Sequence, residues 1–249
     1  MGGGISSLNK VMIVRPSARN DADVDYTFAQ VAADQSVVDY TANCGNLSSA
    51  IGPFAIDEGL IDVDDGEPLV RLFNTNTSKL IHARVPVANG QTVISGDFEL
   101  QGVAGTGAKL KLDYLDPGGA GTGKLLPTGR VAETLDVEGL GEVPVSLVDA
   151  ATPMVFVATD NLGITATESP VELDADQDAK ARLERIRCAG AVRMGMVNKA
   201  EDTGLASPRI AICAAPRPFT SLSGETVTAS TQDITVRVIS SGDTHRASP

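Results

Sequence analysis

The chain has 249 residues, 42% hydrophobic and 21% charged, enough for one large or two small packed domains. Its 20 Lys and Arg against 32 Asp and Glu give a net charge of -12, which argues against nucleic acid or an anionic membrane as partner. A small anionic ligand stays compatible, because it feels the local field of its pocket more than the distant surface.

Taken in order, Ser6, Ser7 and Asn9 form a polar loop into Lys10, and Val11 to Val14 reads as a strand. Lys10 stands at the junction, where a lysine is ordinarily solvated. From Asp25 to Ala32, Tyr26, Phe28 and Gln30 alternate with Thr27, Ala29 and Val31, the pattern of a strand buried on at least one face.

Next, the polar turn Asn43-Cys44-Gly45-Asn46 runs into a helical pattern that ends near Leu60. Leu47, Ala50, Ile51, Phe54 and Ala55 form one stripe of a 3.6-period helix. Ser48, Ser49 and Gly52 are too small and uncharged for an ordinary surface face, so the helix is expected to be enclosed on most sides. Asn43 or Asn46 would cap its start and Gly59 would occupy C′. Pro53 demands a kink or a later start, since it cannot donate to the carbonyl four residues back. A thiol at such a helix mouth faces backbone N–H groups that carry partial positive charge and attract anions, a substrate carboxylate included. A buried, inert thiol is the commoner fate of a cysteine. The amide neighbours, and Gly45, which lets a ligand approach the backbone, favour a site instead.

Asp62 to Glu67 is an acidic turn, and Leu69 to Asn74 and Lys79 to Val87 are two strands joined by a polar turn, a hairpin signature. Asn76 in that turn has an amide to offer a ligand, although asparagine in turns commonly serves the backbone. Gly118 to Lys124 has the spacing of a phosphate-binding loop, but Leu125 stands where the magnesium-binding Ser or Thr belongs, and Pro127 and Gly129 break any following helix. The nucleotide reading fails, and Pro117 to Gly123 reads as a flexible connection between strand territories at Ala108 to Leu115 and Val131 to Val157. Short strands follow at Leu135 to Val137, Val143 to Val148 and Met154 to Ala158. A helix comes next, capped by Asp174 or Asp176, with Leu183, Ile186 and Val192 on its buried side and Arg182, Arg185 and Arg187 on a solvated face. Strands at Arg209 to Ala214 and Ile234 to Ile239 return.

Cys44, Cys188 and Cys213 are far apart and in no CxxC pattern, so neither a disulfide framework nor a zinc site is suggested, and His82 and His245 are the only histidines. Cys188 and Cys213 read as packing residues. No metal site is expected. No apolar run reaches the length of a membrane span and no hydrophobic signal segment opens the chain, so a cytoplasmic protein with no membrane partner is the default.

The segment ANCGNLSSAIGPFAIDEGL resembles the cysteine-bearing motif of the 2-methylaconitate cis-trans isomerase and 4-oxalomesaconate tautomerase family. MGGGISSLNKVMIV, DVDYTFAQV, LFNTNTSKLIHARVPV, GDFELQGV, GKLLPTG, TPMVFV and RIRCAGAVRMGMV match in the same order, so the resemblance covers essentially the whole chain. Departures are Ala42, where members commonly have glycine, and Ala151-Thr152-Pro153, where an asparagine often precedes the proline. The resemblance implies an α+β, diaminopimelate epimerase-like fold: two similar domains of mixed, mostly antiparallel sheet, each wrapped around a central helix. The first domain would be residues 1–116 and the second residues 117–249. By the same resemblance the chain would be truncated at both ends, its second domain lacking the central helix, with weak folding or a homo-oligomer as the consequence.

The implied activity is cofactor-independent proton transfer at carbon in an unsaturated tricarboxylic acid, a cis-trans isomerisation or a tautomerisation. Lys10 matches the family's active-site lysine and would share the acid and base work with Cys44. The N–H groups of Gly45 and Asn46 would hold the developing charge, while Asn43 and Ser7 would orient carboxylates. Two other readings remain open: a racemase or epimerase with two thiols, for which neither Cys188 nor Cys213 has the right setting, and an inactive member that binds an anionic ligand or a partner chain.

Overall fold

A computed structural model describes residues 8–32, 36–100, 103–221, 224–240 and 242–244. The chain divides into two compact units, Met1–Ala120 and Gly121–Pro249.

In the first unit, β1 (Lys10–Pro16), β2 (Val24–Val31), β3 (Val38–Asp39), β4 (Leu69–Asn74), β5 (Lys79–Arg84) and β6 (Lys111–Tyr114) form one sheet. Its order is β1-β2-β4-β5-β6, with β3 beside β2. All pairs are antiparallel except β2 with β4. The alternation of strand side chains puts Val24 and Tyr26 of β2, Val70, Leu72 and Asn74 of β4, and Ile81 and Ala83 of β5 in the interior. Two short helices cross this face, α1 (Gly45–Ser48) and α2 (Ile51–Asp57).

Of the two outcomes expected at Pro53 the structure has the later start: the helical segment is broken at Ser49 and Ala50, so Pro53 lies in the first turn of α2, where its missing N–H has no intrahelical duty. The sequence reading of this segment needs two corrections. Neither Asn43 nor Asn46 caps it: the residue preceding α1 is Cys44, without a side-chain cap. The buried stripe is Ser48, Ile51, Gly52, Ala55 and Ile56, while Phe54 is 47% exposed, so the interior face is one position removed from the apolar stripe and the helix is covered on one side only. Small residues win those positions because the sheet lies close. A Cβ built on Gly52 would come 2.9 Å from Val85 Cγ2. The end of the segment follows expectation: Gly59 has φ +65°, its N–H donates to Ile56 O, and Leu60 N donates to Ala55 O, which together close a Schellman motif.

In the second unit, β7 (Glu133–Val137), β8 (Gly141–Ala150), β9 (Thr152–Ala158), β10 (Arg209–Ala214), β11 (Thr235–Ser240) and β12 (Asp243–Thr244) form a second sheet in that order. Only β9 and β10 run parallel. α3 (Pro170–Ala175) opens on a capping box between Ser169 and Glu172, and α4 (Gln177–Arg193) is capped by Asp176, whose carboxylate accepts from Ala179 N. Leu183 and Ile186 are buried, whereas Val192 is 37% exposed and Gly190 and Ala191 take the interior positions. Arg187 is not solvated either: it pairs with Glu184 and donates to the carbonyls of Gly204 and Pro208. The glycine-rich connection is tied down, because Asp149 Oδ2 accepts from Gly121 N, Thr122 N and Thr122 Oγ1. Among the described residues no helix is long and apolar enough to cross a membrane.

Gly52→Ala is expected to destabilise the protein by about 1–2 kcal/mol, overpacking against Val85 outweighing the roughly 1 kcal/mol of helix propensity gained. In urea titrations, adding Val85→Ala should cost less than the sum of the two single changes, since the second makes room for the first.

Candidate active site

Register brings polar side chains together at one end of the first sheet's helix-bearing face. Tyr26 of β2 stands opposite Asn74 of β4 across the parallel pair, and Tyr114 of β6 is paired with Ile81 of β5, itself paired with Leu72 of β4. On β1, Lys10 shares a face with Met12 and Val14, which pack against the core, while Val11 and Ile13 point outward. The same two-residue period that builds the core therefore aims Lys10 at the helix side.

The cysteine turn is fastened to this row by a buried polar network. Asn43 Oδ1 accepts from Asn74 Nδ2 at 3.0 Å and from the Tyr26 hydroxyl at 3.2 Å. The Tyr26 oxygen is also 3.0 Å from Ser48 Oγ, and Ser48 donates to the Cys44 carbonyl at 2.8 Å. Asn74 Oδ1 in turn accepts from the N–H and hydroxyl of Thr77. Burial pushes the Tyr26 phenol above its ordinary range, opposed by hydrogen bonds to Ser48, Asn74 and Asn43, so it stays a neutral donor.

Lys10 Nζ lies 3.7 Å from Cys44 Sγ, a contact between residues 34 positions apart. Cys44 is only 4% exposed, and Lys10 is half-buried. With four residues, α1 sums few peptide dipoles, so the polarity of this helix mouth comes from individual N–H groups rather than a long macrodipole. Gly45 and Asn46 follow the thiol directly and are exposed. Cys188 and Cys213 have other surroundings: burial raises both thiols, helped at Cys188 by Glu184.

The remaining sequence-derived candidates divide. Asn76 is a structural clip: its Oδ1 accepts from Phe28 N, and its Nδ2 donates to the carbonyls of Phe28 and Tyr40, so both donor hydrogens are committed and none is left for a carboxylate. That corrects the ligand role considered for it. Ser7 lies outside the described residues. The sequence reading missed Tyr26, Ser48 and Asn74, which brace the turn, and Tyr114, whose hydroxyl donates to the Gly45 carbonyl at 3.1 Å. Among the described residues no group of three or more His, Cys, Asp and Glu side chains comes together as a metal site would require.

Fold and site define an α+β protein with a lysine–thiol pair at the entrance of a short helix. The chain belongs to the PrpF protein family, whose model matches residues 1–248. It is 38% identical over 256 residues to the 2-methyl-aconitate isomerase of Shewanella oneidensis, covering 99% of this chain and 64% of that protein. It is 41% identical over 235 residues to the 3-methylitaconate isomerase of Eubacterium barkeri, covering 93% and 62%, and 40% identical over 217 residues to the 4-oxalomesaconate tautomerase of Pseudomonas putida, covering 87% and 58%. The chain thus spans a little under two thirds of the length of these relatives. It superposes on the crystal structure of methylitaconate-delta-isomerase with a TM-score of 0.78 at 39% identity, over 97% of this chain and 63% of that one.

Tyr26→Phe removes one hydroxyl from the buried network and is expected to cost about 1–3 kcal/mol in urea denaturation. Alkylation of Cys44, followed by peptide mapping, should be faster in that variant than in the wild type, because the turn over the thiol is less firmly held.

Proposed function

We propose that this chain works as a cofactor-independent isomerase that moves a proton at carbon in an unsaturated di- or tricarboxylic acid. The observation that supports this most directly is the 3.7 Å approach of Lys10 Nζ to Cys44 Sγ beside the exposed residues Gly45 and Asn46. The relatives named above carry the names of isomerases and a tautomerase of methylaconitate, methylitaconate and oxalomesaconate, which supports the same class of chemistry for this chain.

In the proposed reaction, one member of the pair takes a proton from a carbon next to a C=C bond conjugated with a carboxylate or carbonyl. The electron pair released spreads through that system as an allylic or enolate anion. A proton is then returned to the other allylic position, or to the same carbon after rotation, and product forms with atoms and charge balanced. The N–H groups of Gly45 and Asn46 hold the developing negative charge as preorganised donors. Because Cys44 is 4% exposed, little bulk water competes for the proton in transit. Asn43 has its Oδ1 occupied by the network, and its amide nitrogen is the donor we assign to a substrate carboxylate. A small anionic substrate also suits the net charge of -12 only through such local donors. Free Cys44, Cys188 and Cys213 fit a reducing compartment, and we place the protein in the cytoplasm.

Interconversion of aconitate-type acids, followed by loss or gain of conjugated absorbance, tests the reading. Lys10→Ala should lower kcat by about 100-fold or more and Cys44→Ser by at least about 10-fold, with folding intact. Equal activity in wild type and both variants, or no turnover by the wild type, overturns it.

A further inference from the structure

We infer that Tyr114 is a positioning residue for the anion-holding amides beside Cys44, an inference that rests on the isomerase reading. Its hydroxyl donates to the Gly45 carbonyl at 3.1 Å. That carbonyl and the Asn46 N–H belong to one planar trans peptide, so fixing the oxygen fixes the direction of the N–H at its other end. The preceding peptide is held in the same way, since Ser48 Oγ donates to the Cys44 carbonyl at 2.8 Å and thereby sets the Gly45 N–H. Two consecutive peptide planes after the thiol are therefore held by hydroxyls from different elements, β6 and α1.

The local chain geometry leaves this task to Tyr114. In a regular helix the Gly45 carbonyl would accept from Ser49 N, but Ser49 N donates to Asn46 O at 3.3 Å as the short helix tightens. Glycine at 45 also has its explanation here: a Cβ there would come 3.2 Å from the Tyr114 hydroxyl oxygen. Burial, with smaller contributions from Tyr26 and Cys44 and against a hydrogen bond to Ser48, pushes the Tyr114 phenol up to about 12, so it remains a proton donor at any working pH.

Tyr114→Phe keeps the ring and removes the O–H. We expect kcat on aconitate-type acids to fall about 10-fold with KM little changed and the melting temperature near that of the wild type. The Asn46 amide resonance should move in a nitrogen–proton correlation spectrum recorded without substrate. Gly45→Ala, which displaces the hydroxyl, should reproduce the loss, and the double variant should be no slower than the worse single one. Wild-type turnover in Tyr114→Phe while Lys10→Ala is inactive overturns this inference and leaves the isomerase reading standing. Loss of the melting transition in both variants marks the role as structural and overturns it too. No turnover by the wild type overturns both readings together.

Discussion

Buried polar atoms have to find partners inside the protein, and in the first unit that requirement decides where the cysteine turn sits. Asn43, Asn74, Tyr26 and Ser48 are buried, and each unpaired group would cost about 1–3 kcal/mol. Their partners are one another: a side chain on a turn, one on each of two parallel strands and one on a short helix. The arrangement satisfies them only when the turn lies over the Tyr26–Asn74 pair. The position of Cys44 is thus a consequence of hydrogen-bond satisfaction underneath it rather than of any contact the thiol makes itself.

Once the turn is fixed, sheet periodicity supplies the rest of the site. β1 enters the sheet at Lys10, antiparallel to β2 with Lys10 opposite Gln30. Slipping that pairing by one residue would turn Lys10 outward together with Met12 and Val14, so the apolar face of β1 and the aim of its first side chain are held by the same register. A lysine placed this way needs no dedicated support of its own. Gly52 plays the complementary part above, letting α2 lie close enough on β4 and β5 for the network below α1 to close.

Much of this was legible in the sequence, and the exceptions have separate causes. The strands announce themselves by alternation, Gly59 by its place after the last helical residue, and Leu183 and Ile186 by their spacing. Hydrophobic periodicity fails where the interior is small or polar: Ser48 and Gly52 face inward while Phe54 faces outward, because hydrogen bonding and close approach, not transfer from water, assign those positions. Ser169-Pro170-Val171-Glu172 carried a readable capping-box signature for α3 that the reading passed over. Tyr114 was beyond reach of any local pattern, since it meets Gly45 across 69 positions of sequence. At Asn76 the sequence held both a ligand contact and the commoner backbone role, and its three backbone partners decide for the clip.

Relatives named for methylaconitate, methylitaconate and oxalomesaconate match this chain at 38%, 41% and 40% identity, so overall identity does not separate one substrate from another. In the proposed reaction a lysine, a thiol and two backbone amides would recognise features that unsaturated polycarboxylates share: an acidic C–H and a charge that develops beside it. Discrimination among them depends on groups that sense what differs, the methyl or keto substituent and the spacing of the outer carboxylates. In the buried network below Cys44, Tyr26, Ser48 and Asn74 are committed to holding the turn. On the proposed reading, the side chains that select a substrate are those free of that duty, on the exposed side of the Cys44 turn, where a change alters fit without unfastening Lys10 and Cys44.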